Sequence, residues 1–248
     1  MTLAEERVAN DPRSELWGEH RSRYRFACQL VSSGARVLDV ACGAGFGLDM
    51  LLAARARPLG VDLSLAALAE ARRTAPAAPL VRADAARLPL PDHVIDLAVS
   101  FETIEHVPDA AALVAELRRV VRPGGCLVLS TPNRAFRSTA GAGAGENPFH
   151  VREFTGPELR ELLLSAFEHV ELYGQWVSPD YRYVPFLLVE RTWEPAVVSW
   201  KVLNRLPFAL KDSLAQRLTG RPFYPGEADY VLKPEDWQAA HALLAVAR

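Results

Sequence analysis

Cysteine is scarce: Cys28, Cys42 and Cys126 are the only three in 248 residues. Their odd number and their place in or beside apolar segments exclude a disulfide framework and predict buried thiols in a reducing compartment. Long apolar runs are missing too, since no stretch approaches the ~18 uncharged residues of a membrane span. The opening residues Met1-Thr2-Leu3-Ala4-Glu5-Glu6-Arg7 lack the apolar core of a secretion signal. A cytoplasmic protein is expected, with peripheral membrane contact left open. Net charge is nearly absent, −2 from 28 basic and 30 acidic residues, so no overall positive field exists for neutralising phosphates and a dedicated nucleic-acid binder is disfavoured. Lysine supplies only three of the basic residues. With abundant Ala, Pro and Arg, that points to a GC-rich bacterial genome. What is plentiful is apolar surface, half of all residues, enough for a large α/β core.

Strand and helix patterns alternate along that core. Apolar runs at 37–41, 58–62, 80–84, 94–100, 126–131, 169–173 and 241–247 read as seven strands, and 48–56, 64–73, 109–121 and 155–167 as helices. Ser64 is placed as an N-cap and Pro123-Gly124-Gly125 as a stop before the fifth strand. Such alternation predicts a mostly parallel, doubly wound sheet. The first strand runs into Cys42-Gly43-Ala44-Gly45-Phe46-Gly47, a turn in which glycines let backbone approach a ligand closely. Leu48 stands where a dinucleotide fingerprint wants its third glycine, and Asp39 precedes the loop. A carboxylate there repels a pyrophosphate but pairs with an ammonium or sulfonium group. Asp62, 19 positions after Gly43, ends the second strand and can take both hydroxyls of a ribose, a device NAD enzymes share.

Asp39 with the glycine loop closely resembles motif I of the class I S-adenosylmethionine (SAM) methyltransferases. The resemblance implies a Rossmann-like α/β sheet of order 3-2-1-4-5-7-6 with the last strand antiparallel, and SAM as cofactor with S-adenosylhomocysteine as product. It assigns Asp39, Ala41, Gly43 and Gly45 to the methionine part of SAM and Asp62 to the ribose. Asp84 goes to the adenine amino group, the Ala85 backbone N–H to the ring, and Leu63 and Leu88 to its two faces. Phe101 is expected against the methionine or adenosine, and Arg23-Tyr24, in an N-terminal helix, over the cofactor. The covered span is 36–173 plus the last strand.

Ser100-Phe101-Glu102-Thr103-Ile104-Glu105-His106-Val107-Pro108-Asp109 resembles the family's fourth motif, which places Glu102, Glu105 and His106 where the methyl group is delivered. Histidine is the residue type best matched to proton transfer at neutral pH, so His106 is the first candidate base for an acceptor hydroxyl, against the alternative that it only orders its loop. His150 is the second. Glu102-x-x-Glu105-His106 with a later histidine also resembles the metal site of small-RNA 2′-O-methyltransferases, and its first half the ubiquinone-pathway O-methyltransferases. Mg²⁺ or Mn²⁺ would suit it, provided all four side chains converge.

Histidines at the delivery point, without an Asn-Pro-Pro-Tyr type motif, favour oxygen over nitrogen as acceptor. The run Asn147-Pro148-Phe149-His150-Val151-Arg152-Glu153-Phe154 resembles bacterial enzymes acting on sugars, lipids or secondary metabolites. A small-molecule or glycoconjugate acceptor is expected. C-methylation of a quinone or prenyl acceptor, RNA 2′-O-methylation, a SAM-binding module without catalysis and an NAD oxidoreductase are the alternatives. The expected organisation is an N-terminal helical cap over 1–35, a SAM-binding core over 36–175, a helical insert over 176–238 and the final strand in 239–248. That insert holds four of the five tryptophans and, from Arg191 to Arg221, six basic residues against two acidic. It reads as a cover for the sheet edge or a homodimer contact, or as a lid selecting an anionic or amphiphilic acceptor. The alanine-glycine stretch 140–145 reads as a loop.

Overall fold

In the computed structural model of the chain, residues 16–139, 148–178, 206–234 and 237–248 are described, without the side chains of 137–139. The stretch 140–145 and residues 179–205 of the basic, tryptophan-containing segment lie outside them. The elements are α1 (Trp17–Gln29), β1 (Arg36–Val40), α2 (Phe46–Ala53), β2 (Arg57–Asp62), α3 (Leu65–Thr74), β3 (Leu80–Arg82) and β4 (Ile95–Phe101). A 3₁₀ turn (Ile104–His106) follows, then α4 (Ala110–Val120), β5 (Val121–Pro132), α5 (Arg134–Thr139), α6 (Gly156–Leu164), β6 (Val170–Val177), α7 (Phe208–Thr219), β7 (Tyr230–Lys233) and β8 (Ala242–Ala247).

The helices begin where short polar side chains can satisfy their first N–H groups. Ser64 Oγ accepts from Ala67 N at 3.4 Å, and Asp109 Oδ1 accepts from Ala112 N at 2.9 Å. Thr155 and Glu158 form a reciprocal capping box, whose hydrogen bonds hold the Glu158 carboxyl down at about 2. Strand burial has a period of two. Leu38 and Val40 of β1 join Ala98, Leu113, Leu117, Leu159 and Leu163 in a cluster fed by α4 and α6. Val37 turns the other way, with Leu97, Val99, Tyr24, Ala27, Phe46 and Leu51, onto the face covered by α1 and α2. Asp39 shares the parity of Val37, which is why its carboxylate meets α1.

The sheet order is β3-β2-β1-β4-β5-β8-β6-β7. Strands β1 to β5 pair in parallel, while β8 lies antiparallel between β5 and β6. The doubly wound α/β class and the inserted last strand are as expected, but the count of seven needs correction. An eighth strand, Tyr230–Lys233, forms an edge within the segment read as helical, and its four residues are too few to show a period. Pro123-Gly124-Gly125 also fails to stop the chain before β5, because Gly124 takes φ +73 inside an irregular register opposite Ile95 and Leu97. Strand β3 ends at Arg82, so Asp84 stands beyond it in a bridge to Arg87.

Two compact units divide the described residues. The first, Arg23–Trp176 with Leu232–Arg248, includes Trp176 at the end of β6 and Trp237, whose ring lies where a Cβ on Gly156 would stand. The second comprises residues up to Ser22 and Val177–Val231. There Lys211 on α7 donates to the Tyr224 hydroxyl at 3.0 Å and sits over the Phe223 and Tyr224 rings, while Arg21 pairs with Glu227 at 2.8 Å. Among the described residues no helix is long and apolar enough to cross a membrane.

Candidate functional site

Strand order reverses between β1 and β4, and a parallel sheet opens a crevice at the C-terminal ends of such strands. Both strands leave that point through a left-handed residue that is not glycine, Ala41 at φ 61° and Glu102 at φ 48°. Each such conformation costs about 1–3 kcal/mol and persists only where its surroundings enforce it. Asp39, fully buried just before Ala41, accepts the Tyr24 hydroxyl at 3.0 and 3.1 Å on its two oxygens. Burial pushes the Asp39 carboxyl up to about 7 against the lowering effect of the Tyr24 bond, with Asp62 adding to the rise. Burial, and then the Asp39 charge, raise the Tyr24 phenol well above its ordinary value.

Tyr24 is itself held edge-on by Phe101 at 4.9 Å and Phe46 at 5.4 Å. Gly47 completes the fit, since a Cβ there would fall inside the Tyr24 ring atoms. The third glycine of the loop thus makes room for a tyrosine. Gly47→Ala is expected to displace that ring, cost about 1–3 kcal/mol in urea denaturation and weaken SAM binding severalfold. Unchanged values for both would show that Tyr24 does not position Asp39.

The rest of the loop is fixed from β2. The Gly43 N–H donates to Asp62 Oδ2 at 2.9 Å, and Ser64 N–H to Asp62 Oδ1 at 2.8 Å. Gly43 has φ +53, and no heavy atom lies within 4 Å of where its Cβ would stand, whereas a Cβ on Gly45 would strike Ala71 of α3. Leu63, 51 % exposed, offers an apolar face at the end of β2, while Leu88, at 4 %, is packed into the core with its N–H donating to Glu116. Asp84 is exposed and accepts the Ala86 N–H at 2.9 Å, with Ala85 half-buried beside it. A buried carboxylate, an open glycine, a second carboxylate on the loop and an exposed leucine fit a nucleoside that carries an amino-acid chain, such as SAM.

The acceptor-side candidates follow β4. Glu105 is fully buried on the 3₁₀ turn, and its Oε2 accepts Thr131 Oγ1 at 3.0 Å. Its backbone carbonyl takes the N–H groups of Val151 and Arg152 at 2.8 and 3.2 Å, which ties the His150 loop to the turn. Burial, and then the Glu102 charge, drive the Glu105 carboxyl well above the usual carboxylate range. His106 Nδ1 lies 3.0 Å from the Phe149 carbonyl and His150 Nδ1 2.7 Å from Glu153 Oε1. The two rings meet edge to face at 4.9 Å. Glu105, His106 and His150 each bring a ligand atom within 4.8 Å of the others.

Glu102 is not among them, which corrects the expectation of four converging groups. Its Oε1 is held by Ser130 Oγ at 2.8 Å and by the buried Arg23 guanidinium at 3.0 Å. Arg23 also donates from Nε to Gln175 at 2.8 Å, so a fully buried guanidinium braces the half-buried Glu102. Sequence reasoning missed Ser130, Thr131, Gln175 and Glu153. Thr131 was detectable as a polar residue ending an apolar strand, but the partners of Arg23 lie 79 and 152 positions away and leave no local signal.

A doubly wound sheet with an antiparallel strand inserted beside its fifth, and a buried acid before a glycine loop at its first strand, defines the class I methyltransferase fold. A family profile described as "Methyltransferase domain" matches residues 38–129. A Mycobacterium tuberculosis protein named "Probable S-adenosylmethionine-dependent methyltransferase" is 36 % identical over 184 residues, 73 % of this chain and 67 % of that protein. A Mycolicibacterium smegmatis protein of the same description is 42 % identical over 139 residues, and the alignment spans 56 % of this chain and 54 % of that one. The crystal structure of a SAM-dependent methyltransferase from Archaeoglobus fulgidus superposes with a TM-score of 0.61 at 16 % identity, covering 94 % of each chain, and shares the fold. The chain belongs to the SAM-dependent methyltransferases, a family whose cofactor is SAM.

Proposed function

We propose that this protein methylates an oxygen of a small-molecule acceptor, a class that includes sugars, glycoconjugates and lipids. SAM supplies an electrophilic methyl group on its sulfonium sulfur. Asp39, steadied by Tyr24, holds the ammonium end of the cofactor, Asp62 the ribose, and Leu63, Asp84 and Ala85 the adenine. The observation that carries the oxygen assignment is the convergence of Glu105, His106 and His150 just beyond β4, the strand next to β1. An attacking hydroxyl must be oriented and must give up its proton, and positioning supplies most of the acceleration in such a transfer. A sulfonium needs no proton donor for its leaving group, so a cluster of proton-accepting groups serves the acceptor side alone.

Purified protein incubated with methyl-labelled SAM and an extract of its own organism, followed by mass spectrometry, identifies the methylated compound and atom. A methyl ether or ester is expected, and a product labelled only at nitrogen or carbon would overturn the assignment. Calorimetry should show micromolar binding of SAM and S-adenosylhomocysteine (Kd in the micromolar range corresponds to about −8 kcal/mol) and no heat with NAD.

A further inference from the structure

We infer that the acceptor is elongated and that an acidic sugar ring at its far end sits in a cavity of about 360 Å³ at the end of β6. The described lining of this cavity is Trp176, Lys233, Gln238 and Ala239. All four belong to the first compact unit, as do Glu105, His106 and His150. Because β6 and β5 both run antiparallel to β8 they share a direction, and Trp176 near the end of β6 lies on the same sheet edge as the crevice. Three strand spacings separate β6 from β4, which at ~4.8 Å each places the cavity roughly 14 Å from the Glu105 cluster. A volume at the low end for ligand sites holds a ring-sized group, not a whole acceptor. That this ring belongs to the acceptor rests on the small-molecule reading above, whereas its binding does not.

Buried groups fix the cavity walls. Asn133, fully buried and directly after β5, donates from its side-chain amide to the carbonyls of Trp237, Gln238 and Ala240 at 3.1, 3.2 and 2.8 Å. Thr131, two residues earlier, holds Glu105, so one strand end positions both the acceptor cluster and the turn that lines the cavity. Gly174 makes room for this arrangement: a Cβ there would come 2.6 Å from Ala240 Cβ, 2.8 Å from Trp237 Cα and 3.0 Å from Trp176 Nε1. The Trp176 indole N–H is buried and has no hydrogen-bond partner, a cost the protein bears to keep the ring at the cavity wall. The chemistry of the walls selects the ligand. An indole offers a flat apolar surface to the C–H face of a ring. The exposed Lys233 supplies an ammonium for a carboxylate, and the exposed Gln238 amide both donates and accepts, which matches adjacent ring hydroxyls. An aromatic acid would leave that amide without such partners.

Methyl β-D-glucuronide, titrated into the full-length protein by ligand-observed NMR, should bind with a millimolar Kd, the range open to a fragment of this size. Lys233→Gln should weaken that binding by about three- to tenfold, and the neutral methyl β-D-glucoside should bind the parent more weakly by the same factor and both proteins alike. Gln238→Ala should weaken both sugars. Lys233 and Gln238 are exposed, so both variants should fold, and unchanged SAM affinity checks that they do. No glucuronide binding, equal binding by Lys233→Gln, or benzoate bound more tightly than the glucuronide overturns the site. The glucuronide should also compete with the acceptor found by mass spectrometry, and binding without competition overturns the link between cavity and acceptor. Competition in a protein whose product is methylated at nitrogen or carbon supports the cavity and rejects only the oxygen assignment.

Discussion

Asp39→Asn should weaken SAM binding by about 10- to 100-fold, the loss expected when an ionised partner of an ammonium becomes neutral, and should remove the pH dependence of what remains. In the unliganded protein the Asp39 carboxyl is pushed up to about 7, so much of it carries a proton at neutral pH. A cationic ligand selects the ionised form. SAM affinity should therefore fall about tenfold per pH unit below 7 and level off above it, with the substituted protein flat throughout. Stability runs the opposite way. An acid whose folded value is raised from 3.8 to about 7 contributes stability fully present below pH 3.8 and lost as pH rises through 7, at about 1.4 kcal/mol per unit. Without SAM, Asp39→Asn should consequently melt above the parent at pH 8 and near it at pH 4. Thermal melts across that range, with and without SAM, check both signs, and a parent whose SAM-induced shift is the same at pH 5.5 and 8 would contradict them.

His106→Ala should lower kcat by about 10² to 10⁴, the usual worth of a group that handles a reacting proton, while SAM affinity stays within about twofold. The side chain joins the acceptor-side cluster and has no part in the Asp39 and Asp62 contacts. The split between kcat and cofactor affinity is the informative reading. His106 bonded to the Phe149 carbonyl also orders its loop, and a purely structural role would reduce SAM binding and thermal stability along with turnover. Unchanged kcat would exclude His106 from the chemistry. His150→Ala should show the same split.

The residues proposed for the cofactor side stood out in the sequence because their signals are local. Asp39 precedes the glycine loop by four residues, and both belong to one strand and turn. Asp62 and Asp84 sit at or just past the ends of apolar runs. The acceptor side was legible only as a list of residues. Glu102 and Glu105 are three apart and look equivalent, yet one is captured by an arginine from α1 and the other by a threonine from β5. Leu63 and Leu88 look alike as partners of an adenine, but Leu88 has a core to enter and Leu63 has none. The edge strand Tyr230–Lys233 and the bend at Gly124 escaped for a related reason: backbone pairing with distant strands produces them, whatever the local residues prefer.

The inserted strand β8 also sets an order of assembly. Strands β1 to β5 pair through crossovers of modest length, but β6 joins the sheet only through β8, and Leu127 of β5 must meet Ala247, 120 positions later. Loop-closure entropy makes such a distant pairing slow. The strands that carry the proposed cofactor and acceptor groups can thus form early, while the edge β5 will later share with β8 stays open. Until residues 242–247 arrive, that edge is the place where a nascent chain would recruit the wrong strand.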